Sequence, residues 1–277
     1  MSKAGNDFVD KLIDSLDISD EEKAIKKKKL IENIEIPVKF AGIGQAGVGN
    51  TELLRSIFRI DGTDRSVISN LKTGLYKATT KDFYSFIIKN EFDLKIQFTD
   101  GPGLGEDMRL EEKYIDMWCD EIPRNDILYW VLDGPNRDIA HIQTTMKTIL
   151  DRTKFHDRIV IVINKVDQFA LSEEARAAGN ASWDEDLNIP TDELEEIISL
   201  RSDDIIEKLA GYANVSKDRI VACSALKRWN HGKILDLLVA SLPEELRYKV
   251  SANRDVKDFT ELITEKGWKE IQRLTGE

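Results

Sequence analysis

The most constraining feature of the sequence is a glycine-rich loop that lies between an apolar run and a helical pattern. The apolar run spans residues 38–43, the loop reads GQAGVGNT over residues 44–51, and apolar residues then recur with helical spacing between Leu53 and Phe58. Glycines let a backbone turn its N–H groups towards an anion, and the positive end of the following helix dipole favours negative charge. The order of strand, loop and helix therefore predicts a phosphate-binding loop. Taken alone, the loop is also compatible with a strand-to-helix turn that binds no ligand.

One residue departs from the G-x-x-x-x-G-K-[ST] pattern of phosphate-binding loops. Asn50 stands where that pattern has lysine. A lysine places a point charge on a phosphate, whereas an amide donates a hydrogen bond there without charge. Losing a charge-assisted hydrogen bond costs on the order of 1.5–3 kcal/mol, so we expect roughly ten- to a hundred-fold weaker binding and a larger loss of turnover. A natural and an engineered origin of Asn50 are equally compatible with the sequence.

The composition is that of a globular protein with an excess of acidic residues. The 277 residues include 41% hydrophobic and 33% charged side chains, and the formal net charge is -11. This balance argues against general nucleic-acid binding through a basic surface. The two cysteines, Cys119 and Cys223, lie far apart in apolar contexts, so we expect a reduced, cytoplasmic protein. The three histidines lack metal-ligand spacing and no apolar run is long enough to span a bilayer, so we expect neither a zinc site nor a transmembrane segment.

Strand and helix patterns alternate through most of the chain. The apolar runs at 127–132 and 159–163 are typical of strands buried on both faces. Patterns at 81–89 and 92–99 predict an antiparallel hairpin at the edge of a sheet, with a tight turn at residues 90–91. We therefore expect an α/β fold of three layers, with a mainly parallel sheet and one antiparallel edge strand.

Helical patterns flank this α/β unit at both ends. We expect a helical N-terminal extension over residues 1–35, the α/β domain over residues 36–246, and a helical C-terminal extension over residues 247–277 that packs with the N-terminal helices. Ser19 and Glu22 form a candidate capping box. The lysine run nearby is flanked by glutamates, which favours a solvated helix face over a membrane or nucleic-acid site.

Three further segments inside the α/β unit have their own expectations. Residues 61–80 are polar and without period, which is typical of a long mobile connection. Residues 171–188 indicate a polar surface insertion. Thr191 is a candidate N-cap for the amphipathic helix that follows it.

Four short motifs lie at the ends of four predicted strands. They are GQAGVGNT at 44–51, DGPG at 100–103, NKVD at 164–167 and CSA at 223–225. Each motif alone is a weak to moderate signal, because Asp100 could cap the turn before Pro102 and a polar strand end is common. Polar groups at the carboxyl ends of parallel strands lie where an α/β sheet binds its ligands.

Taken in this order, the motifs resemble the GTP-binding domain of the translation-factor class of P-loop GTPases, and especially its Era-like branch. The resemblance covers residues 36–246, and residues 123–132 and 225–243 look like the prophage and genomic-island members of that branch. No motif covers the helical ends.

The resemblance implies two sets of nucleotide-binding residues. The backbone that would cradle the α- and β-phosphates belongs to Gly44, Gln45, Ala46, Gly47, Val48, Gly49, Asn50 and Thr51. The residues that would read guanine are Asn164, Lys165, Asp167, Ser224 and Ala225. In this reading the Asp167 carboxylate accepts hydrogen bonds from N1–H and the exocyclic amine of guanine, a donor pair that adenine lacks, and Ser224 and Ala225 contact the guanine carbonyl.

The resemblance also implies a magnesium site and a slow reaction. Thr51, Thr80 and Asp100 would hold Mg²⁺, Asp100 through water, and the Gly103 amide would sense the γ-phosphate. The assignment of Thr80 competes with a structural role, because Thr79 is adjacent in a polar loop. Leu104 stands where Ras-like enzymes have the glutamine that orients water, so we expect hydrolysis that is slow or assisted by a partner.

These expectations lead to a GTPase switch that binds GTP and GDP with Mg²⁺, its turnover impaired by Asn50. The alternative is a pseudo-GTPase that works through its helical ends as a binding or assembly module without turnover. An ATP-using enzyme is disfavoured by NKVD. The partner, whether ribosome, RNA, membrane or another protein, is open, as is a nucleotide-dependent homodimer.

Overall fold

The computed structural model describes residues 3–14, 18–34, 36–57, 82–89, 95–243 and 246. Its helices are α1 (Lys3–Asp14), α2 (Asp20–Ile34), α3 (Asn50–Ile57), α4 (Met108–Glu121), α5 (Ala140–Thr153), α6 (Glu173–Ala177), α7 (Asp192–Leu209) and α8 (His231–Ser241). Its strands are β1 (Val38–Gly44), β2 (Tyr84–Lys89), β3 (Lys95–Asp100), β4 (Ile127–Asp133), β5 (Ile159–Asn164), β6 (Trp183–Asp184), β7 (Ile189–Pro190) and β8 (Ile220–Ala222). Single 3₁₀ turns span Ile122–Arg124, Val166–Gln168 and Lys217–Arg219.

Six of the described strands form one sheet in the order β2-β3-β1-β4-β5-β8. β1 pairs in parallel with both β3 and β4, β4 pairs in parallel with β5, and β5 pairs in parallel with β8. β2 is antiparallel to β3 and forms one edge, with Ser85 opposite Thr99. The expected α/β fold, with a mainly parallel sheet and one antiparallel edge strand, is confirmed.

Helices cover both faces of this sheet because successive side chains of a strand point in opposite directions. In β4, Leu128 and Trp130 join a buried cluster with residues of α4, α5 and α7. Tyr129 and Val131 of the same strand join a second cluster with residues of α3 and α8. Burying one such side chain contributes roughly 1.5–3 kcal/mol, which explains why the central strands are apolar on both faces.

The carboxyl ends of the parallel strands meet at one edge of the sheet. Gly42 of β1 lies opposite Asp100 of β3, and Asp133 of β4 lies opposite Asn164 of β5. Trp118 of α4 supports this edge from one face, because its indole N–H donates to Pro102 O over 2.9 Å. Strand register therefore gathers polar groups from distant parts of the sequence at one edge.

The N-terminal helices pack on each other. Val9 and Ile13 of α1 are buried, and Lys27 of α2 forms an ion pair with Asp10. The predicted capping box is confirmed at the start of α2, where Ser19 N–H donates to the Glu22 carboxylate over 3.1 Å and Glu22 N–H donates back to Ser19 Oγ over 3.3 Å.

The segment 171–188 is more ordered than its polar sequence indicates. It contains α6 and the first strand of a two-stranded antiparallel hairpin, β6 and β7. Most of its residues are exposed, as expected of a surface insertion, but Trp183 in this hairpin is only 5% exposed. A tryptophan can be buried in a short segment when its N–H finds a partner, and here that partner is Asn188 Oδ1 at 3.2 Å.

The predicted cap of α7 also needs correction. Thr191 precedes α7, but its side chain caps no N–H of that helix. Its hydroxyl lies instead within 3.2 Å of Ser182 O and 3.3 Å of Ala181 O, where it can only donate. The threonine therefore ties α7 to the hairpin segment instead of capping the helix.

Some expectations fall outside the described residues. These are the mobile connection at 61–80, the turn at residues 90–91, and the C-terminal helix at 247–277 with its packing on the N-terminal helices. They remain predictions.

Candidate functional site

The glycine-rich loop lies against the segment that follows β3. Ala46 N–H donates to Leu104 O over 2.8 Å, and Leu104 N–H donates to Gly44 O over 2.9 Å. The two bonds form a parallel bridge between Gln45 and Leu104. Gly103 packs so tightly here that an added Cβ would lie 2.8 Å from Ala46 Cα. The structure thus brings the predicted phosphate loop next to the glycine predicted to sense the γ-phosphate.

Two glycines of the loop have left-handed backbone conformations, which L side chains rarely adopt. The φ angle is 81° at Gly47 and 86° at Gly49. A Cβ on Gly49 would lie only 2.9 Å from Nδ2 of Asn164, whereas one on Gly47 would meet nothing within 4 Å. Gly49 is therefore required both for the turn and for close approach of the NKVD segment.

The side chain of Asn50 points into the domain. Its Nδ2 donates to Gly42 O over 2.8 Å and to Asp100 Oδ1 over 2.6 Å. Its Oδ1 is buried without a hydrogen-bond partner among the described residues. We expected this amide to donate to phosphates, but both of its N–H bonds are used inside the protein.

Asp100 and Thr51 form the polar centre of the site. Thr51 Oγ1 donates to Asp100 Oδ2 over 2.5 Å, and Gly101 N–H donates to Asp100 Oδ1 over 3.0 Å. Burial raises the pKa of Asp100 to about 6, although the hydrogen bonds from Thr51, Gly101 and Asn50 act in the opposite direction. The carboxyl group is therefore held where ionisation is costly unless a cation compensates it.

The Thr51 hydroxyl and the Asp100 carboxylate could supply part of the shell of a magnesium ion. A carboxylate and a hydroxyl are the hard oxygen donors that Mg²⁺ prefers, and Mg²⁺ sites commonly take one or two protein oxygens, with water and phosphate completing the shell. No cluster of three or more His, Cys, Asp or Glu residues suited to a metal occurs in the described part of the chain. Thr80, the third predicted ligand, lies outside the described residues.

Asn164 joins three segments of the site. It is 1% exposed, and its Nδ2 donates to Val48 O in the glycine-rich loop over 3.0 Å. Its Oδ1 accepts from Ala225 N–H over 3.1 Å, and Cys223 Sγ lies 3.6 Å away. The predicted phosphate loop and both predicted guanine-reading segments are therefore connected through one side chain.

Lys165 extends over the glycine-rich loop. Its Nζ donates to Gly47 O over 2.6 Å and to Asp133 Oδ2 over 2.8 Å. Its φ angle is 62°, a left-handed conformation that costs about 1–3 kcal/mol for a non-glycine residue. The two charge-assisted hydrogen bonds offset this strain and hold the lysine stem beside the loop.

Asp167 has a buried oxygen with no partner. The residue is partly buried in the 3₁₀ turn after β5, and its Oδ1 makes no hydrogen bond within the described part of the chain. A buried carboxylate oxygen without a donor is costly, so such an atom commonly marks a place where a ligand donates.

Ser224 and Ala225 begin the loop that follows β8. Ser224 is fully buried, and its Oγ accepts from Lys227 N–H over 2.9 Å. Ala225 O accepts from Ser56 Oγ over 2.7 Å. The structure therefore places this predicted pair beside Asn164 and α3.

Sequence reasoning missed a polar cluster behind the loop. Gln45 Nε2 lies 3.4 Å from His141 Nδ1, and His141 Nε2 lies 3.1 Å from Glu111 Oε1. Glu111 Oε2 accepts from Gly105 N–H over 2.7 Å. No local pattern links these residues because they come from four separate segments. Asp133, the partner of Lys165, was also missed, although its place at the end of a buried strand is a usable signal.

Comparison with known proteins finds likeness in structure alone. No protein-family model matches the chain, and no curated protein matches it. Similar solved structures include a dimerization-deficient mutant of Toc33 from Arabidopsis thaliana, with TM-score 0.49 and 14% identity over 77% of this chain and 82% of that one. Another is a bacterial selenocysteine-specific elongation factor, EF-Sec, with TM-score 0.47 and 21% identity over 75% of this chain and 29% of that one.

A third similar structure is a probable GTP-binding protein, EngB, with TM-score 0.44 and 15% identity over 74% of this chain and 98% of that one. Toc33 is also known in complex with GDP and Mg²⁺. Likenesses at these identities and scores carry no functional argument, so the fold class rests on the sheet order and the site rests on its own contacts.

No helix within the described ranges combines the length and the apolarity needed to cross a membrane.

Proposed function

We propose that this chain is a guanine-nucleotide switch that binds GTP and GDP with Mg²⁺ and hydrolyses GTP slowly. The observation that carries the proposal is the junction at Asn164. Its amide donates to Val48 O in the glycine-rich loop, while Asp167, three residues further along the chain, has a carboxylate oxygen that no described residue bonds. A base bound there would supply the donors that Asp167 Oδ1 lacks, while its phosphates would lie on the connected loop.

The phosphate side of the proposal rests on Thr51, Asp100 and the loop backbone. Thr51 and Asp100 would hold Mg²⁺ together with phosphate oxygens, and Thr80 is the proposed third ligand. When bound, the ion would neutralise charge on the transferred phosphoryl group. The protein contributes a fixed loop, because Leu104 is bridged to Gln45 and Gly103 packs closely against Ala46.

Two features favour slow hydrolysis. Leu104 is 1% exposed and belongs to a buried cluster, so its side chain cannot orient an attacking water. Asn50 brings no cation and directs its donors inward. Since charge compensation is most of phosphoryl-transfer catalysis, the site as built favours binding over turnover.

The second candidate is a pseudo-GTPase that acts as a binding or assembly module without turnover. The inward amide of Asn50 is the observation that favours it, because the loop then offers phosphates backbone N–H groups but no side-chain cation. In either case we propose the division into a helical segment 1–35, a nucleotide-binding domain 36–246 and a C-terminal extension 247–277. A cytoplasmic location, a macromolecular partner and a nucleotide-dependent homodimer are further proposals.

The first experiment is equilibrium titration with a fluorescent GDP derivative. We expect saturable binding that Asn50→Lys tightens roughly ten- to a hundred-fold, because it restores a charge-assisted contact. The variant Asp167→Asn should shift preference from GDP to XDP, because the amide donates to the second carbonyl of xanthine. The matched control is Asp120→Asn, because Asp120 is an exposed carboxylate on α4. It should change neither the affinity for GDP nor the preference for GDP over XDP. If neither the parent chain nor Asn50→Lys binds GDP, the proposal is wrong.

GTP hydrolysis separates the two candidates. Turnover that rises in Asn50→Lys identifies an enzyme whose activity Asn50 impairs. Tight binding without hydrolysis in both proteins supports the binding module instead.

A further inference from the structure

The hairpin β6–β7 packs on the loop that follows β8, although the two are about forty residues apart in sequence. Trp183 of the hairpin contacts Trp229 of the loop edge to face, with ring centroids 5.9 Å apart and planes at 81°. Trp183 is 5% exposed in this contact. The hairpin is therefore held against the loop and does not project from it.

Asn188 is the centre of the contact. Its Oδ1 accepts from the Trp183 indole N–H over 3.2 Å, and its Nδ2 donates to Lys227 O over 2.9 Å. Its φ angle is 53°, so the residue occupies the left-handed region that asparagine tolerates better than most residues. One side chain thus fixes both the tryptophan of the hairpin and the backbone of the loop.

Lys227 makes a second connection. Its ammonium group lies 2.6 and 2.7 Å from the two carboxylate oxygens of Glu185, and 5.7 Å from the ring centroid of Trp183. The Lys227 side chain is mostly buried, with 26% of its surface exposed. The Glu185 side chain is 71% exposed, so the ion pair links the hairpin to the loop but contributes little free energy by itself.

The loop carries these contacts directly to the guanine-reading groups. Lys227 N–H donates to Ser224 Oγ, and Ser224 and Trp229 exchange backbone hydrogen bonds of 3.1 and 3.3 Å. Ala225, which follows Ser224, donates its N–H to Asn164 Oδ1 over 3.1 Å. The position of the Ala225 N–H therefore depends on a closed loop whose outer side is bound by the hairpin.

We propose that the hairpin over residues 183–190 is a specificity-determining support. It holds the Ala225 N–H, which donates to Asn164 Oδ1 in the structure, where the 6-carbonyl of a bound guanine can share that N–H. This inference rests on the proposed function, since it concerns the same base site. Asn188 and Glu185 act as positioning residues through Lys227. Weakening their contacts lets the loop move, so the contact to the 6-carbonyl is lost while contacts to the phosphates and to the 2-amino group persist.

The test uses Asn188→Gly, because glycine accepts the left-handed backbone and removes both side-chain hydrogen bonds. Dissociation of GDP is compared with that of the diphosphate of 2-aminopurine riboside, which keeps the 2-amino group but lacks the 6-carbonyl and N1–H. The missing N1–H affects the parent chain and the variant alike, so it cancels when the two proteins are compared. We expect Asn188→Gly to speed GDP dissociation roughly fivefold or more, as for the loss of one hydrogen bond, and to leave dissociation of the analogue unchanged. The preference of the protein for GDP over the analogue therefore falls.

Glu185→Gln provides an independent variant that breaks the ion pair to Lys227 without touching Asn188. Asp186→Asn is its matched control, because Asp186 is an exposed carboxylate of the same turn whose side chain makes no hydrogen bond or ion pair with the described residues of the loop. We expect a reduced preference for GDP in Glu185→Gln and an unchanged preference in Asp186→Asn. Each of the two substitutions is measured alone and again in combination with Asn50→Lys.

A readout without nucleotide is amide hydrogen exchange at Ala225 and Lys227. We expect faster exchange of both amides in Asn188→Gly and no change at Val160, which is fully buried in β5. If Asn188→Gly changes the dissociation rates of GDP and the analogue equally, or leaves amide exchange at Ala225 unchanged, the inference is wrong while the proposed function stands. If neither the parent chain nor Asn50→Lys binds GDP, both the inference and the proposed function are wrong.

Discussion

The side-chain amide of Asn50 donates a 2.6 Å hydrogen bond to Oδ1 of Asp100, a residue that is 2% exposed. Burial raises the pKa of this carboxyl group to about 6, and a neutral amide opposes the shift less than a cation would. The pair therefore couples the unusual residue of the glycine-rich loop to the charge state of the proposed Mg²⁺ ligand.

The first prediction concerns stability against pH without metal or nucleotide. Because the folded pKa of Asp100 lies above its unfolded value of 3.8, its contribution is fully present below pH 3.8 and is lost as the pH rises to about 6. An ammonium at residue 50 lowers that pKa and removes the loss. We expect the unfolding free energy of Asn50→Lys, relative to that of the parent chain, to be up to about 3 kcal/mol higher at pH 7 than at pH 4. Urea unfolding in EDTA measures this gain.

The control for that prediction is Asn50→Gln, which is neutral. It should keep the pH dependence of the parent chain, since no cation is introduced. Identical slopes in Asn50→Lys and Asn50→Gln would show that Asp100 does not titrate in this window.

The second prediction compares two glycines of one loop. Both Gly47 and Gly49 have positive φ angles, so alanine at either residue costs about 1–2 kcal/mol of backbone strain. Only at Gly49 does a Cβ approach another group, Asn164 Nδ2 at 2.9 Å. We expect Gly49→Ala to lose a further 1–3 kcal/mol or so, and to weaken GDP binding more than Gly47→Ala does. Denaturant unfolding and GDP titration of both variants check this, and equal effects would mean that the approach of Asn164 to Gly49 does not restrict the residue at that position.

Sequence patterns predicted the parts of this molecule that depend on local chemistry. Apolar runs at β4 and β5 identified strands buried on both faces, and the motifs at strand ends were placed together because parallel strands share one edge. What could not be predicted depends on contacts across the chain. The inward direction of Asn50 is set by Gly42 and Asp100 and not by its neighbours in sequence.

The same limit explains the errors at the hairpin. Trp183 lies in a polar segment, and its partner Trp229 is far away in sequence, so periodicity carries no signal of their contact. Thr191 had the residue type of a helix cap, but nearby carbonyls compete for its hydroxyl. A lone tryptophan within a polar insertion was the one available sign that the insertion packs on something.

The third prediction concerns the connection between Lys165 and the glycine-rich loop. Lys165→Met keeps the apolar stem and removes the charge-assisted bonds to Gly47 O and Asp133. We expect a loss of about 1–2 kcal/mol in unfolding free energy, because the pair is partly exposed, and weaker GDP binding. Lys154→Met is the matched control, since Lys154 is also left-handed, with φ of 58°, but ends α5 away from the site. Comparable losses in both variants would assign the effect to removal of a lysine charge in general and not to the contacts of Lys165.

The last prediction concerns acid stability and His231, the first residue of α8. His231 is 3% exposed, and burial, with a smaller effect of Arg228, lowers its pKa from 6.5 to about 4. Because the unfolded chain binds this proton more readily, stability falls as the pH drops from 6.5 towards 4, by up to about 3 kcal/mol. The contribution of Asp100 to stability changes in the opposite direction over part of this range, so the total stability of the parent chain need not show a single slope.

The difference in unfolding free energy between the parent chain and His231→Gln isolates the histidine, because the shared Asp100 contribution cancels. We expect this difference to shift in favour of His231→Gln as the pH falls, in urea unfolding at pH 7, 6, 5 and 4. Parallel curves for parent and His231→Gln would mean that burial does not lower the pKa of His231 in the folded protein.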